Sequence, residues 1–242
     1  MGSERLDRVL HHLGQGTRRE VKDLIRQGRV TVDGVPASDP GQPVDPTAQQ
    51  IAVDGVVLRY QRHFHVLLHK PAGVITATAD ARWQTVMDIL PPQLRRPDLV
   101  PVGRLDRDTE GLLLLTTDGE LCHRLISPRW HVPKRYLARL DGPVTEADRE
   151  AFAAGMTLAD GYRCLPAQLE IGPDPTEAVV TLYEGKYHQV KRMFLARGRK
   201  VIYLKRLSMG PLELGDLPRG AARSLTADEE AALYRVTGLA RP

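Results

Sequence analysis

Apolar positions along the chain change period near residue 62, and that change divides the sequence. Before it, Leu6, Val9, Leu10 and Leu13 recur at the three- and four-residue spacing of one helix face, and Gly14 can end that helix. Thr17-x-x-Glu20 is a capping box for a second helix, which Gly28 stops. The alternating Val30-Thr31-Val32 before Asp33-Gly34 predicts a strand and a tight turn, and Ile51-Ala52-Val53 before Asp54-Gly55 predicts another. The proline-rich stretch 36–46 between them reads as a loop.

Beyond Gln61-Arg62 the pattern becomes short β-branched or leucine runs punctuated by Gly and Pro. Strands are predicted at 65–68, 73–76, 112–115, 136–140, 178–183 and 201–204, and helices at 85–89, 121–126, 145–154 and 189–197. A last helix over 227–235 is announced by Thr226 with Glu229 three positions on, again a capping box. Strands and helices in irregular order predict an α+β fold with a largely antiparallel, mixed sheet flanked by helices. The expected domains are 1–60 and 63–242, with no internal repeat.

Composition narrows the class. At 242 residues, 42% hydrophobic and 26% charged, the chain has the makeup of a globular protein and excludes a collagen, a disordered chain and a membrane bundle. Its two cysteines, Cys122 and Cys164, form no C-x-x-C pair, which argues against a disulfide scaffold or zinc module and suits a reducing compartment. No stretch approaches the roughly 18 apolar residues of a membrane span, so the cytoplasm is expected. No exposed apolar stripe demands a partner, so a monomer is expected.

The net charge of +4 matters less than its distribution. Residues 121–140 hold Arg124, Arg129, Lys134, Arg135 and Arg139 without an acid, and 185–212 hold Lys186, Lys191, Arg192, Arg197, Arg199, Lys200, Lys205 and Arg206, again without one. Arg18, Arg19, Lys22 and Arg26 lie at exposed positions of the second helix. Brought together, such runs suit a polyanion.

Nucleophile-elbow, Walker A, dinucleotide-fingerprint and zincin motifs are all absent. His63, His65 and His69 near one strand start have no converging carboxylate or cysteine pattern, and a partly exposed strand edge explains them better than a metal. The densest chemistry lies in Gly103-Arg-Leu-Asp-Arg-Asp-Thr-Glu-Gly-Leu112, where Asp106, Asp108 and Glu110 crowd a turn ahead of a leucine strand. Spacing alone does not choose among the three carboxylates.

Two resemblances do. Arg5-Leu6-Asp7, Thr17-Arg18, Leu24-Ile25-x-x-Gly28 and Val30-x-Val32-Asp33-Gly34 resemble the S4 RNA-binding domain, with Asp33 where that family often has Asn. Gly103-Arg104-Leu105-Asp106-x-Asp108-Thr109-x-Gly111-Leu112 resembles the signature of RNA pseudouridine synthases of the RsuA and RluA type. Lys70-Pro71-x-Gly73, Lys134-Arg135-Tyr136 and the stretch from Glu184 to Phe194 are similar to that superfamily's other motifs, in order. Tyr187-His188, where relatives directed at the large subunit tend to carry Asn-Arg, points to the RsuA branch; His69 departs from the commoner Asn.

The resemblance implies an isomerase that flips a uridine out of 16S rRNA, at position 516 in the conventional rRNA numbering, and converts it to pseudouridine without cofactor or metal. It implies Asp106, Tyr136 and Lys191 as catalytic residues and Arg104 as the side chain that fills the vacated space. Lys186, His188, Gln189 and Arg192, with Arg18, Arg19, Lys22 and Arg26, are the expected RNA contacts, and 16S rRNA or an early small-subunit particle is the expected partner. The competing readings are a 23S-directed synthase, a non-catalytic rRNA-binding assembly factor, and a metal-assisted hydrolase built on Asp106, Asp108 and Glu110.

Overall fold

The structure is a computed structural model and describes residues 3–240. The chain forms two units. The first runs up to Phe64 and takes in the distant segment Arg95–Leu99, which the sequence pattern gave no reason to detach from the residues around it; the second holds His65–Leu94 and everything from Val100 onward.

In the first unit β1 (Glu4–Arg5) leads into α1 (Leu6–His12) and α2 (Arg18–Arg26), followed by β2 (Val30–Val32), β3 (Val35–Pro36), β4 (Pro43–Val44), β5 (Ile51–Val53) and β6 (Val56–Val57). The capping box forms: Glu20 N donates to Thr17 Oγ1 at 3.3 Å, and Thr17 N donates to Glu20 Oε2 at 2.7 Å. Leu6, Val9, Leu10, Val21, Ile25, Val30 and Ile51 share one buried core. The sheet order is β3-β2-β5-β6, antiparallel throughout. Its hairpin turns put Asp33-Gly34 and Asp54-Gly55 at φ of 53°, 81°, 51° and 78°. Two consecutive left-handed residues match the twist of the flanking strands, which is why Asp-Gly serves there. Asp33 is further fixed by accepting from Gln50 N at 2.8 Å and Gln49 Nε2 at 2.9 Å. The expected loop 36–46 contains β4, which pairs with β1. Two-residue strands carry no alternation to read.

The second unit contains β7 (His65–Lys70), β8 (Val100–Pro101), β9 (Glu110–Thr116), α3 (Gly119–Ile126), β10 (Lys134–Leu140), α4 (Glu146–Ala154), β11 (Gln168–Ile171), β12 (Glu177–Leu182), α5 (Gln189–Ala196), β13 (Val201–Met209), β14 (Leu212–Glu213), β15 (Ala222–Ser224) and α6 (Ala227–Val236). The sheet order is β11-β12-β10-β13-β9-β7-β15, with β8 on β9 and β14 on β13. Every pairing is antiparallel except β9 with β13. The fold is thus α+β with a mixed sheet. Strands β7 and β9 are buried along their whole length, as expected of central strands covered on both faces, whereas β10 mostly alternates. Leu67, Leu112, Leu114, Leu121, Leu125 and Leu233 form a core between the sheet, α3 and α6.

Two expected elements do not form. The stretch 73–76 is not a continuous strand, and 85–89 is not a helix; Ile75 and Thr85 meet in an isolated parallel bridge, and Asp88 Oδ2 accepts from Thr85 N at 2.8 Å. Pro91-Pro92 leaves a helix there too few residues to propagate. Strand β13 runs five residues past its expected end. The two basic runs do meet, on β10 and β13, but Lys134 and Arg206 are buried in that meeting and add nothing to the surface. Among the described residues no helix is long and apolar enough to cross a membrane.

Candidate active site

The loop from Gly103 to Gly111 is pinned by its backbone. Thr76 Oγ1 donates to Leu105 O at 2.8 Å and accepts from Leu105 N at 3.1 Å, while Gly73 N donates to Arg107 O at 2.7 Å. Beneath the loop lies Lys70, 0% exposed, whose ammonium donates to the carbonyls of Pro71 (3.0 Å), Asp106 (3.0 Å), Arg107 (3.4 Å) and Thr109 (2.9 Å). A buried cation satisfied by four backbone carbonyls fixes the backbone of the loop. The loop ends at Gly111, which lies against Arg206 in the parallel β9–β13 pairing.

Helix α5 supplies the counter-charge. Lys191 Nζ lies 3.0 Å from Asp106 Oδ2 and 2.6 Å from Asp108 Oδ1. Burial pulls Lys191 toward a lower pKa, but its bonds to Asp108 and Asp106 outweigh this and leave it raised. Desolvation pushes Asp108 upward, and Lys191 reverses that to a net lowering. The two carboxylates are not equivalent: Asp106 is 28% exposed and Asp108 is 73% exposed. His188 Nε2 stands 3.3 Å from the other Asp106 oxygen, so the two carboxylate oxygens face different side chains. His188 caps α5 at φ 49°, in the left-handed region. The turn before α5 is built on buried Glu184, which accepts from Tyr162 Oη (2.5 Å), Leu165 N (2.9 Å) and Gln189 Nε2 (2.6 Å).

The remaining expected residues divide. Tyr136 is buried on β10 opposite Arg206, which pairs in turn with Gly111, so it stands at the level of the sheet where the aspartate loop ends. Arg104 is exposed, and its guanidinium has no hydrogen bond or ion pair among the described residues. Lys186 is exposed, its ammonium 5.0 Å above the Tyr162 ring. Arg18, Arg19 and Arg26 are exposed on α2, and Lys22 is half-buried. Two expected RNA contacts are engaged within the fold. Gln189 is 4% exposed and its amide is committed to Glu184 and to Lys186 N. Arg192 is tied to Asp160 at 2.5 Å and to Tyr187 O at 3.3 Å, which makes it a brace for the turn.

Glu110 leaves the carboxylate group altogether. It is buried, accepts from Tyr203 Oη at 3.0 Å and pairs with Arg219 at 3.4 Å. With an ammonium bridging Asp106 and Asp108 and the third acid turned away, the three carboxylates do not converge on a cation. Sequence reasoning passed over Lys70 and Glu184 as site components. The signals for Lys70 were its place in the Lys70-Pro71-x-Gly73 motif and a charge ending an apolar strand.

Lys70 also yields a pH expectation. Burial lowers it from 10.5 to about 8. Between those values the unfolded chain holds a proton that the folded chain has released, so this lysine's contribution to stability rises with pH across the window. The difference in unfolding free energy between wild type and Lys70→Met should therefore move in the wild type's favour from pH 8 to pH 10, as read by denaturant titration; a flat difference would contradict the assignment.

Comparison with known proteins agrees with this geometry. Residues 64–196 match the RNA pseudouridylate synthase family and residues 4–49 match the S4 domain. An uncharacterized RNA pseudouridine synthase of Bacillus subtilis (strain 168) is 45% identical over 93% of this chain and 96% of its own. The ribosomal small subunit pseudouridine synthase A of Vibrio cholerae is 38% identical over 96% of this chain and 100% of its own. A crystal structure of a pseudouridylate synthase superposes with a TM-score of 0.66 at 34% identity, covering 96% of this chain and 100% of that one. An S4 domain ahead of a synthase fold, with the aspartate loop clamped by a lysine from α5, places this chain in the RNA pseudouridylate synthase family of isomerases.

Proposed function

We propose that the chain isomerises one uridine of small-subunit (16S) rRNA, at position 516 in the conventional numbering, with Asp106 as the attacking or stabilising carboxylate. The observation that carries this reading is the ion pair of Asp106 with Lys191, with His188 beside its other oxygen, in a loop whose backbone is fixed by Lys70. The reaction breaks the bond from N1 to the sugar, turns the base, joins C5 to the sugar and releases the C5 proton. It needs neither an oxidant nor a nucleotide, so the work is positional. A carboxylate is a weak nucleophile that gains chiefly from alignment, and Lys191 supplies it.

Tyr136 lies against the flipped base and moves a proton, while Arg104, with no partner among the described residues, enters the space the uridine leaves. Tyr187-His188 and the small-subunit enzyme among the relatives support the 16S target. The protein acts as a cytoplasmic monomer on a folded RNA, because an aromatic share of 5% gives few stacking surfaces for long single strands. Label release from C5 should be fast on a folded 16S fragment and poor on a short unstructured oligonucleotide of the same sequence; equal rates would contradict a structured target.

The cations of α2 contact phosphate. Replacing Arg18, Arg19, Lys22 and Arg26 together by Ala should lower the slope of log affinity against log salt by about 0.7–0.9 for each phosphate no longer neutralised, with the chemical step unchanged. Affinity measured from low to moderate salt checks this, and an unchanged slope means that α2 does not touch RNA.

A further inference from the structure

Trp83 is one of two tryptophans in the chain, and it stands 46% exposed. The Arg107 guanidinium lies 4.1 Å from its ring centroid, and Arg107 directly follows Asp106. Both partners are anchored through their backbones. Asp80 Oδ1 accepts from Arg82 N at 2.8 Å and Trp83 N at 2.9 Å, and Gln84 O accepts from Ile75 N at 3.0 Å. On the other side, Arg107 O is held by Gly73 N and by buried Lys70. The side chains are therefore presented outward on fixed supports, one residue from the aspartate. A cation–π pair at an exposed site adds little stability, and the open half of the indole gains nothing from burial, so folding alone does not account for that exposed face.

We propose that Trp83, backed by Arg107, is a stacking platform for one unpaired nucleobase of the RNA substrate beside the uridine at Asp106. The indole offers a flat surface that accepts any base, and a guanidinium behind it stacks on the ring while its N–H groups stay available to a phosphate. This extends the reading of Asp106 as the reactive centre and rests on it.

The test uses total RNA from cells lacking the protein, which contains the target wherever it lies. Trp83→Ala should lower kcat/KM by about tenfold, carried by KM, because base–aromatic stacking is of that order, while Trp83→Phe stays within about threefold of wild type. In a Trp130→Phe protein, Trp83 is the sole tryptophan emitter, and its fluorescence should be quenched when RNA binds. Wild-type kinetics in Trp83→Ala, or unchanged emission at saturating RNA, overturns the proposal. So does an equal loss in Trp83→Ala and Trp83→Phe with a lowered Tm, which marks a packing role. Should Asp106→Asn modify that RNA as the wild type does, the reading of Asp106 fails, while the emission still decides whether a base stacks on Trp83.

Discussion

Asp106→Asn should abolish pseudouridine formation, lowering the rate by at least about a thousandfold, while Tm and RNA affinity stay close to wild type. The amide keeps the volume and can still meet Lys191 and His188, and Lys191 keeps a carboxylate partner in Asp108 at 2.6 Å. Helix α5 and the loop held by Lys70 both keep their supports. What disappears is the negative charge at the half-buried position. Asp108→Asn is the matched control. Asp108 is 73% exposed and shares the same lysine, so its loss should reduce the rate far less. Label release from C5 measures both. More than about a tenth of the activity remaining in Asp106→Asn would remove the aspartate from the chemistry.

The largest effect on stability is expected at Gly111. Its φ is 109°, a region that L side chains rarely adopt, and an added Cβ would sit 2.2 Å from Arg206 O and 2.5 Å from Arg206 N. Both obstacles are backbone atoms of β13, and the β9–β13 pairing registers Lys205 with Glu110 and Arg206 with Gly111. Relief would require parting those strands and would also expose buried Arg206, whose Nε donates to Leu112 O at 2.7 Å. Gly111→Ala should therefore cost more than about 4 kcal/mol and lower Tm by at least about 8–16 °C, or leave the protein insoluble. Gly119, in the first turn of α3, has open space around its Cβ direction and no positive φ. Gly119→Ala should be neutral or slightly stabilising by thermal melt, and comparable losses in the two variants would contradict the steric account.

The parts of this structure legible in the sequence share one property: a local pattern that tertiary context did not override. The capping boxes at Thr17 and Thr226, the Asp-Gly turns and the apolar runs of β7 and β9 all formed where the pattern placed them. The 85–89 segment shows the opposite. Val86 and Leu90 are buried at helical spacing, yet the chain there is held by Asp88 capping Thr85 and by the bridge to Ile75, a partner ten residues away. At the site, the motif led to Asp106 and Lys191, and the structure adds what no linear reading holds. Lys70 underlies the loop through carbonyls 36 to 39 residues away, and Glu184 withdraws Gln189 from the surface. Charge counting overstated the positive face because Lys134 and Arg206 turn inward and Arg197 and Arg199 close on buried Asp148.

The most direct test of the central claim is a transcriptome-wide map of pseudouridine in cells lacking this protein, complemented with wild type or with Asp106→Asn. One site in 16S rRNA should be missing from the deletion, return with the wild type and stay missing with Asp106→Asn. Loss of a site in 23S rRNA or tRNA instead would overturn the 16S assignment, and a full set of pseudouridines in the deletion, or restoration by Asp106→Asn, would contradict the account of the site itself.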